Sequence, residues 1–599
     1  MRRTRWSSHA LSLTLVTLLG VFLLYPIWLT VEGGFRSIDG ESFTLFHLKS
    51  VFTTPRLLWG LLNSLAIAAC TTALCLLIGV PLAMLTARYD FRGKALFGAL
   101  ILAPLILPPF VGAIGLHHLL GRNGAVNTLL MHAGLIDTGI DFIGRGGFWA
   151  VVILEALHLY PILYLNAAAA LANIDPSLEE AAENLGASAW RRFRTIVLPM
   201  MRPGLFAGAT IVFIWSFTEL GTPLMFEYHH VTPVQIFNGI REMNAKAEPY
   251  ALTVVMLASA VLLYAGGRLC FGRRGEAMSG KASRHAVLPR LRGMKGLLAG
   301  AAFAGVILLA ALPHAGVILA SIAESGTWYR SVVPQSITFR HYENALGHPL
   351  AIGSIRNSLL LASAAVLVDI VLGLAIAHLL VRTRAWGRSV LDALAMLPLA
   401  VPGLVMAFGY VALTLRWPCA GSMPRWMASL LDPVLPQSWF DWLNHAPLSG
   451  WADVLGADPN PVPLLIIAYA VRRLPYVVRS AAAGLEQTPR ELEEASLNLG
   501  AGRFRTLRAI TLPLIAANLV AGALLAFSFA MLEVSDSLIL AQREQHFPIT
   551  KAIYVLVHRL GDGEHIASAM GVWGMALLTV TLVGAAMLMG RRMGAVFRA

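Results

Sequence analysis

Residues Glu179–Pro199 read EEAAENLGASAWRRFRTIVLP, and residues Glu493–Pro513 read EEASLNLGAGRFRTLRAITLP. The two stretches align without a gap. Glu179 corresponds to Glu493, Asn184 to Asn498, Gly186 to Gly500 and Pro199 to Pro513, a constant separation of 314 residues. Each is charged, helix-forming and broken by a single glycine, yet the chain around them is greasy. Of its 599 residues 57% are hydrophobic and only 13% charged, and the mean hydropathy is +0.67. Ordinary soluble domains carry roughly 25% charged residues, so the composition is that of a membrane protein with many spans. A long polar segment kept twice in such a protein points to a soluble partner.

Working outward from the two stretches, apolar runs of spanning length, at ~20 residues each, fall at about 9–31, 60–87, 95–119, 147–172, 204–226 and 249–271. They resume at about 296–322, 355–381, 388–414, 461–485, 514–540 and 566–590, which makes twelve. The opening MRRTRW and the run from Leu11 to Thr30 have the outline of a signal peptide, but no small-residue cleavage site follows, and the run reads as a retained first helix. Arginines and lysines set the orientation. Arg2, Arg3 and Arg5, then Arg88, Arg92 and Lys94, the arginines of both repeated stretches, the basic linker from Arg268 to Lys295, Arg382, Arg384 and Arg388, and finally Arg591 and Arg592 all fall on one side of a twelve-span topology. Both termini and both repeated loops are therefore expected on the cytoplasmic side of a bacterial inner membrane. The net charge of +13 is spread over these short loops and forms no compact basic domain, which speaks against nucleic acid. Cys70, Cys75, Cys270 and Cys419 show no CxxC or His-paired spacing, so no disulfide framework or zinc site is expected.

The repeat extends beyond the charged loop. Asn63-Ser64-Leu65 matches Asn357-Ser358-Leu359, and Pro104, Pro108 and Gly115 match Pro398, Pro402 and Gly409, all 294 residues apart. The separation has become 314 by Pro161 and Pro475, so the second half holds 20 extra residues, placed in the long outward loop from about Arg416 to Asn460. Six spans per half is an even number, so the halves are parallel repeats related by an axis along the membrane normal. The predicted fold is an all-α polytopic membrane protein of about twelve transmembrane helices in two tandem parallel six-helix modules. The first occupies 1–270 (core about 57–270), a linker 271–295, and the second 296–599 (core about 353–590).

In each loop a proline, Pro176 or Pro489, opens a short helix whose first-turn glutamates suit the positive end of its dipole. Gly186 and Gly500 stand where that helix caps and turns. A basic amphipathic helix follows, and Pro199 and Pro513 mark re-entry into the membrane. A surface-lying connector explains one such loop; two with identical spacing favour a docking element. The pattern of Glu180-Ala181-Ala182, Gly186 and Ile196-x-Leu198-Pro199, with Glu494-Ala495-Ser496, Gly500 and Ile510-x-Leu512-Pro513 in the second half, resembles the EAA loop of type I ABC importer permeases. The resemblance covers nearly the whole chain, one permease module per half, with EAA loops at 176–204 and 489–518. It implies that each loop carries a coupling helix seated in a groove of a separate cytoplasmic ATPase, two copies in all. Glu180, Ala181, Ala182 and Gly186 would carry that role in one half, and Glu494, Ala495, Ser496 and Gly500 in the other. Ser496 departs from the usual second alanine and is small enough to keep the contact. It further implies a soluble binding protein docking outside, ATP and magnesium bound by the ATPase and no cofactor by this chain. Fused double permeases of this length most resemble the ferric-iron branch, whose neighbours handle thiamine, polyamines and aminoethylphosphonate.

Gly275-Glu276-Ala277-Met278-Ser279-Gly280-Lys281 matches seven positions of a phosphate-binding loop, but Ala282 stands where the magnesium-binding hydroxyl belongs and no strand precedes it. The chain is therefore read as no ATPase itself. No HExxH, GxSxG or clustered histidine set suggests a membrane-embedded enzyme, and a secondary transporter has no use for the paired loops. Charged residues within spans are candidates by default. Glu219 and Glu533 occupy equivalent places in the fifth and eleventh spans, where they either flank the pathway or reach water at the helix ends; Asp536 adds a third carboxylate in the second half only. Glu155 and His158 lie three apart on one face, able to pair, and Asp369 sits alone; internal hydrogen bonding is assigned to each of them over a part in transport. His229 and His230 are adjacent, so their side chains diverge, and they are read as loop residues with no metal to hold.

Overall fold

The structure, a computed structural model, describes residues 2–37, 42–106, 108–143, 147–241, 247–271, 288–456, 458–559 and 561–589. The stretch Gly275–Lys281 lies outside them. Among the described residues every regular element is helical. The long helices are α1 (Ser8–Gly34), α2 (Pro55–Arg88), α3 (Lys94–Leu105 with Pro109–His132), α4 (Phe148–Ala172), α5 (Ala189–Phe217) and α6 (Glu248–Gly267) in the first half. In the second half they are α7 (Gly293–Ile322), α8 (Pro349–Arg382), α9 (Arg388–Leu399 with Gly403–Thr414), α10 (Val462–Gln487), α11 (Arg503–Met531) and α12 (Gly563–Gly584). Among the described residues nine of these are single helices long and apolar enough to span; α3 and α9, bent by 96° and 104° at their Pro-rich breaks, raise the number to eleven. The twelfth expected span, α10, has 26 residues but carries Arg472, Arg473 and Arg479, which take it below the apolarity of a simple span.

Two expected boundaries move. Pro199 and Pro513 do not interrupt their helices: α5 and α11 run on from the basic segment through one wide turn, Phe193–Val197 and Leu507–Thr511, which absorbs the missing proline N–H. Both helices also end before their apolar runs do, at Phe217 and Met531. Glu219 and Glu533 therefore lie just past the helix ends, in the break before the short helices Gly221–Met225 and Ser535–Leu540, and not inside the fifth and eleventh spans.

In each half the second, fourth and fifth helices form a tight trio, α2–α4–α5 and α8–α10–α11, with small residues at the crossings. The first helices are exchanged. α1 lies between α6 of its own half and α9 of the other; α7 lies between α12 of its own half and α3 of the other. A Cβ on Gly409 would stand 2.6 Å from the Pro26 carbonyl carbon, and one on Gly115 would stand 2.7 Å from the Val317 nitrogen, so both crossings require glycine. The Tyr410 hydroxyl donates to the Phe22 carbonyl at 2.8 Å, and Ser12 Oγ to the Trp386 carbonyl at 2.9 Å. One hydrophobic core then runs through both halves, with Leu23, Phe110, Leu404 and Leu538 in the same cluster.

On the face opposite the repeated loops, two short helices, Thr232–Arg241 and Ile549–Val557, roof the centre. The repeated Asn-Ser pairs hold them there. Ser64 Oγ accepts the Thr232 N–H at 2.9 Å and Ser358 Oγ the Ile549 N–H at 2.7 Å, and Asn63 and Asn357 donate to the carbonyls of His230 and Gln545. Phe237 and Tyr554, one from each roof helix, meet edge to face with ring centroids 6.3 Å apart.

Candidate functional site

The two loops are built alike. In the first, Asp175 caps the helix Pro176–Asn184 by accepting the Ser177 N–H at 2.9 Å. Gly186 ends it in the left-handed region, φ +79°, and the Gly186 and Ala187 N–H groups donate back to the carbonyls of Glu183 and Ala182. In the second, the helix is Arg490–Asn498, Gly500 has φ +85°, and Gly500 and Ala501 donate to Leu497 and Ser496. Both ends are thus Schellman motifs, which explains why glycine stands at these two positions. A pseudo-equivalent ion pair ties each loop to the end of its half's second helix: Arg88 to Glu179 at 2.6 Å, Arg382 to Glu493 at 3.2 Å. The first glutamate of each motif therefore anchors the loop, while Glu180, Ala181, Glu494 and Ala495 face outward and are exposed. Ala182 and Ser496 are half-buried, and the Ser496 hydroxyl is within 3.0 Å of the Thr506 hydroxyl. Next to the glycines, Leu185 and Leu499 are 88% and 89% exposed, and Trp190 and Phe504, again a matched pair, are 69% and 75% exposed. Each charged loop thus holds out two large apolar side chains, the kind of exposed patch that marks an interaction site.

Between the halves lies a cavity of about 190 Å³. Its wall is composed of matched residues: Pro108 with Pro402, His158 with Arg472, Trp215 with Phe529 and Glu219 with Glu533. The two glutamates face very different surroundings. Glu219 Oε1 accepts from the backbone N–H groups of Gly221 and Thr222 at 3.1 and 3.2 Å, and from the Thr222 hydroxyl. Glu533 is 4% exposed and forms ion pairs with both Arg472 and Arg473. Asp536 does not line the cavity: it is fully buried behind the wall, 3.4 Å from Arg472. The arginines were absent from the candidates drawn from sequence, although the pair stands in a spanning helix, in AVRRLPYVVR, where the rule applied to Glu219 flags it equally. A second signal is internal. Arg472 lies across Gly403, where a Cβ would collide with the guanidinium, and the first half has Pro109 and His158 at the corresponding places.

Of the remaining charged residues, Glu155 and His158 make internal contacts, Asp369 differs from expectation, and His229 and His230 lie in a loop as read. Glu155 and His158 do not pair: the Ser216 hydroxyl donates to Glu155, and His158 Nδ1 lies 2.9 Å from the Pro104 carbonyl, each side chain having found a nearer partner on a packed neighbour. Asp369 is buried with neither carboxylate oxygen hydrogen-bonded among the described residues, near the Arg473 charge. His229 and His230 line a separate cavity of about 160 Å³ on the roof side, with Arg56, Gln235 and Glu248. Among the described residues no cluster of three or more His, Cys, Asp or Glu side chains is placed to hold a metal ion.

Residues 79–274 and 369–594 each match the sequence profile of the family described as "Binding-protein-dependent transport system inner membrane component". Over 532 residues the chain is 27% identical to a putative ferric transport system permease protein, FbpB 1, of Haemophilus influenzae, covering 87% of this chain and 76% of that one. It is 26% identical over 569 residues to the ferric transport system permease protein FbpB of Actinobacillus pleuropneumoniae, covering 93% and 75%. A shorter match, 36% over 163 residues, covers 27% of the chain and 69% of the molybdenum transport system permease protein ModB of Haemophilus influenzae. Among solved structures, one chain of a bacterial ABC transporter that imports the acidic polysaccharide alginate matches with a TM-score of 0.37 and 18% identity, covering 45% of this chain and 97% of that one. With two family modules in one polypeptide, the chain belongs to the binding-protein-dependent transport system inner membrane components and is a multi-pass permease of an ABC importer.

Proposed function

We propose that this single chain forms the whole translocation pathway of a ferric-iron importer. Two copies of a cytoplasmic ATPase seat on the loops around Gly186 and Gly500, and a soluble binding protein delivers the substrate to the roof face. The observation that carries the reading is the cavity on the pseudo-two-fold, walled by matched residues of both halves, below a roof closed by Phe237 and Tyr554. ATP and magnesium belong to the ATPase, whose closure draws the two loops together. Because the loops are clamped to α2 and α8 through Arg88–Glu179 and Arg382–Glu493, that motion reaches the trios that frame the cavity. The exchanged helices α1 and α7 make each half lean on the other, so the trios rock as two bodies and the roof helices part. Glu219 and Glu533 are pathway residues in this reading, and both chain termini lie on the cytoplasmic side with the loops.

Ferric iron is carried over from the two relatives whose names state it and which match along most of their length. The test is uptake into membrane vesicles containing this chain, its ATPase and its binding protein, with ferric iron, thiamine, a polyamine and aminoethylphosphonate as separate substrates. ATP-dependent accumulation of iron alone is the expected result. Accumulation of another compound reassigns the substrate; accumulation that ignores ATP and collapses with the proton gradient overturns the reading in favour of a secondary transporter.

A further inference from the structure

We propose that the substrate crosses this cavity carrying an oxyanion group, held by Arg472 and Arg473, while Glu219 faces its cationic part. The inference rests on the cavity being the pathway. Three carboxylates line the cavity, Glu155 and Glu219 on the first-half wall and Glu533 on the second, with Asp536 buried behind. Glu533 is shared by both guanidinium groups, Asp536 is wholly buried against Arg472, and Glu155 is 1% exposed with the Ser216 hydroxyl on it. Among the described residues Glu155 and Glu219, both from the first half, are the wall carboxylates without an ion pair; three donors sit on Glu219 Oε1, and Glu155 Oε1 has no hydrogen-bond partner.

The donors are in the opposite condition. A guanidinium offers five N–H groups, and the ion pairs engage one terminal nitrogen of each arginine, Nη1 of Arg472 and Nη2 of Arg473. Arg473 Nε is buried with no hydrogen-bond partner among the described residues. Both side chains reach the cavity, 19% and 12% exposed, and the neighbouring wall adds Tyr476 and Ser535. A bare trivalent cation entering here meets two fixed positive charges on the second-half wall. An oxyanion meets planar donor pairs in the geometry arginine binds best. The first half has His158 and Leu159 in place of the two arginines, so one wall is cationic and the other carries Glu219. That polarity suits a substrate with charges of both signs, such as a metal ion coordinated by a small oxyanion, or else an oxyanion travelling alone.

Proteoliposomes holding this chain with its ATPase and binding protein distinguish the sources. They are supplied with labelled ferric iron plus labelled phosphate or carbonate, with labelled iron in oxyanion-free buffer, or with the labelled oxyanions without iron. ATP-driven uptake of iron and oxyanion in a fixed ratio, with iron uptake failing in the oxyanion-free arm, is the expected result for the metal-bound form. Oxyanion uptake without iron supports the free form. Full iron uptake in the oxyanion-free arm overturns the inference and leaves the pathway reading intact; no ATP-driven uptake of any label overturns both. Arg473→Lys, which keeps the charge and loses the planar donors, is expected to lower uptake about tenfold. Arg473→Gln alone leaves Glu533 with one of its two cations, so it is paired with Glu533→Gln to keep the charge balanced. The double variant should reach the membrane and co-purify with the ATPase yet lose uptake of both labels together. Wild-type uptake by both variants sinks the proposal.

Discussion

Gly186→Asp and Gly500→Asp separate docking from folding. In the isolated chain each glycine has φ near +80° and no atom within 4 Å of where a Cβ would stand. The only cost of the substitution there is the left-handed backbone, about 1–2 kcal/mol. Gly326, on the roof side after α7, has φ +81° and equally open space. Gly326→Asp therefore carries the same conformational cost without touching the loop surface, and the three variants should melt alike. If Gly186 and Gly500 lie in the centre of an interface, beside the exposed Leu185 and Leu499, a new carboxylate there enters a desolvated contact. A loss of roughly 2 kcal/mol, the threshold of an interface hot spot, corresponds to about 30-fold weaker binding. The assay is retention of the ATPase on immobilised, detergent-solubilised chain across an ATPase titration, with vesicle uptake measured alongside. The loop variants should shift the titration by that factor while Gly326→Asp binds as wild type. Equal retention by all three variants refutes the docking assignment, because their shared backbone cost would then account for everything seen.

Leu185→Ser with Leu499→Ser removes two side chains that pack on nothing in this chain, so thermal stability should be unchanged while ATPase retention falls at least tenfold; unchanged retention means the exposed leucines have another partner. Arg382→Ala leaves Glu493 in a pair whose side chains are only 7% and 15% exposed, against 28% and 23% for Arg88 and Glu179. Hydrogen exchange in the second loop should therefore rise by the equivalent of about 3 kcal/mol, and by well under that in the first loop for Arg88→Ala; equal effects would contradict the burial argument. Gly115→Leu and Gly409→Leu force backbone apart at the two exchanged crossings, for about 1–3 kcal/mol each, and should lower the melting temperature and loosen α1 or α7 to limited proteolysis. A melting temperature within a degree of wild type would mean that α1 and α7 do not bear on the opposite halves.

What the sequence made legible was whatever the two halves share. The loop repeat located both glycine-capped loops, and the Asn-Ser-Leu repeat, at first only a marker of duplication, turns out to hold the roof helices through Ser64 and Ser358. Helix exchange was illegible, because an apolar run states that it spans and not which half it spans beside; only the glycines at Gly115 and Gly409 hinted at close crossings, and a glycine does not name its partner. The starts of α5 and α11 were misplaced because hydropathy cannot register one wide turn that lets a helix run through Pro199 or Pro513, and their ends because the apolar run continues past the break into Gly221–Met225 and Ser535–Leu540. Glu219 and Glu533 could be paired by number, but their unlike environments depend on Arg472 and Arg473, which the repeat does not contain.

That last difference bears on mechanism. The clamps, capped loops and roof attachments are duplicated, as they must be if two identical ATPase subunits act on both halves together. Nothing in that drive requires the cavity wall to be unequal. Yet Gly403 stands opposite Pro109, Arg472 opposite His158 and Asp536 opposite Thr222, and the three second-half residues act as one unit, the glycine clearing space for a guanidinium that the aspartate partly neutralises. Burying such a set in a membrane is costly, and a symmetric apolar wall would close the pathway equally well. On the proposed pathway reading, the asymmetry answers to the occupant of the cavity, a substrate that is itself without two-fold symmetry.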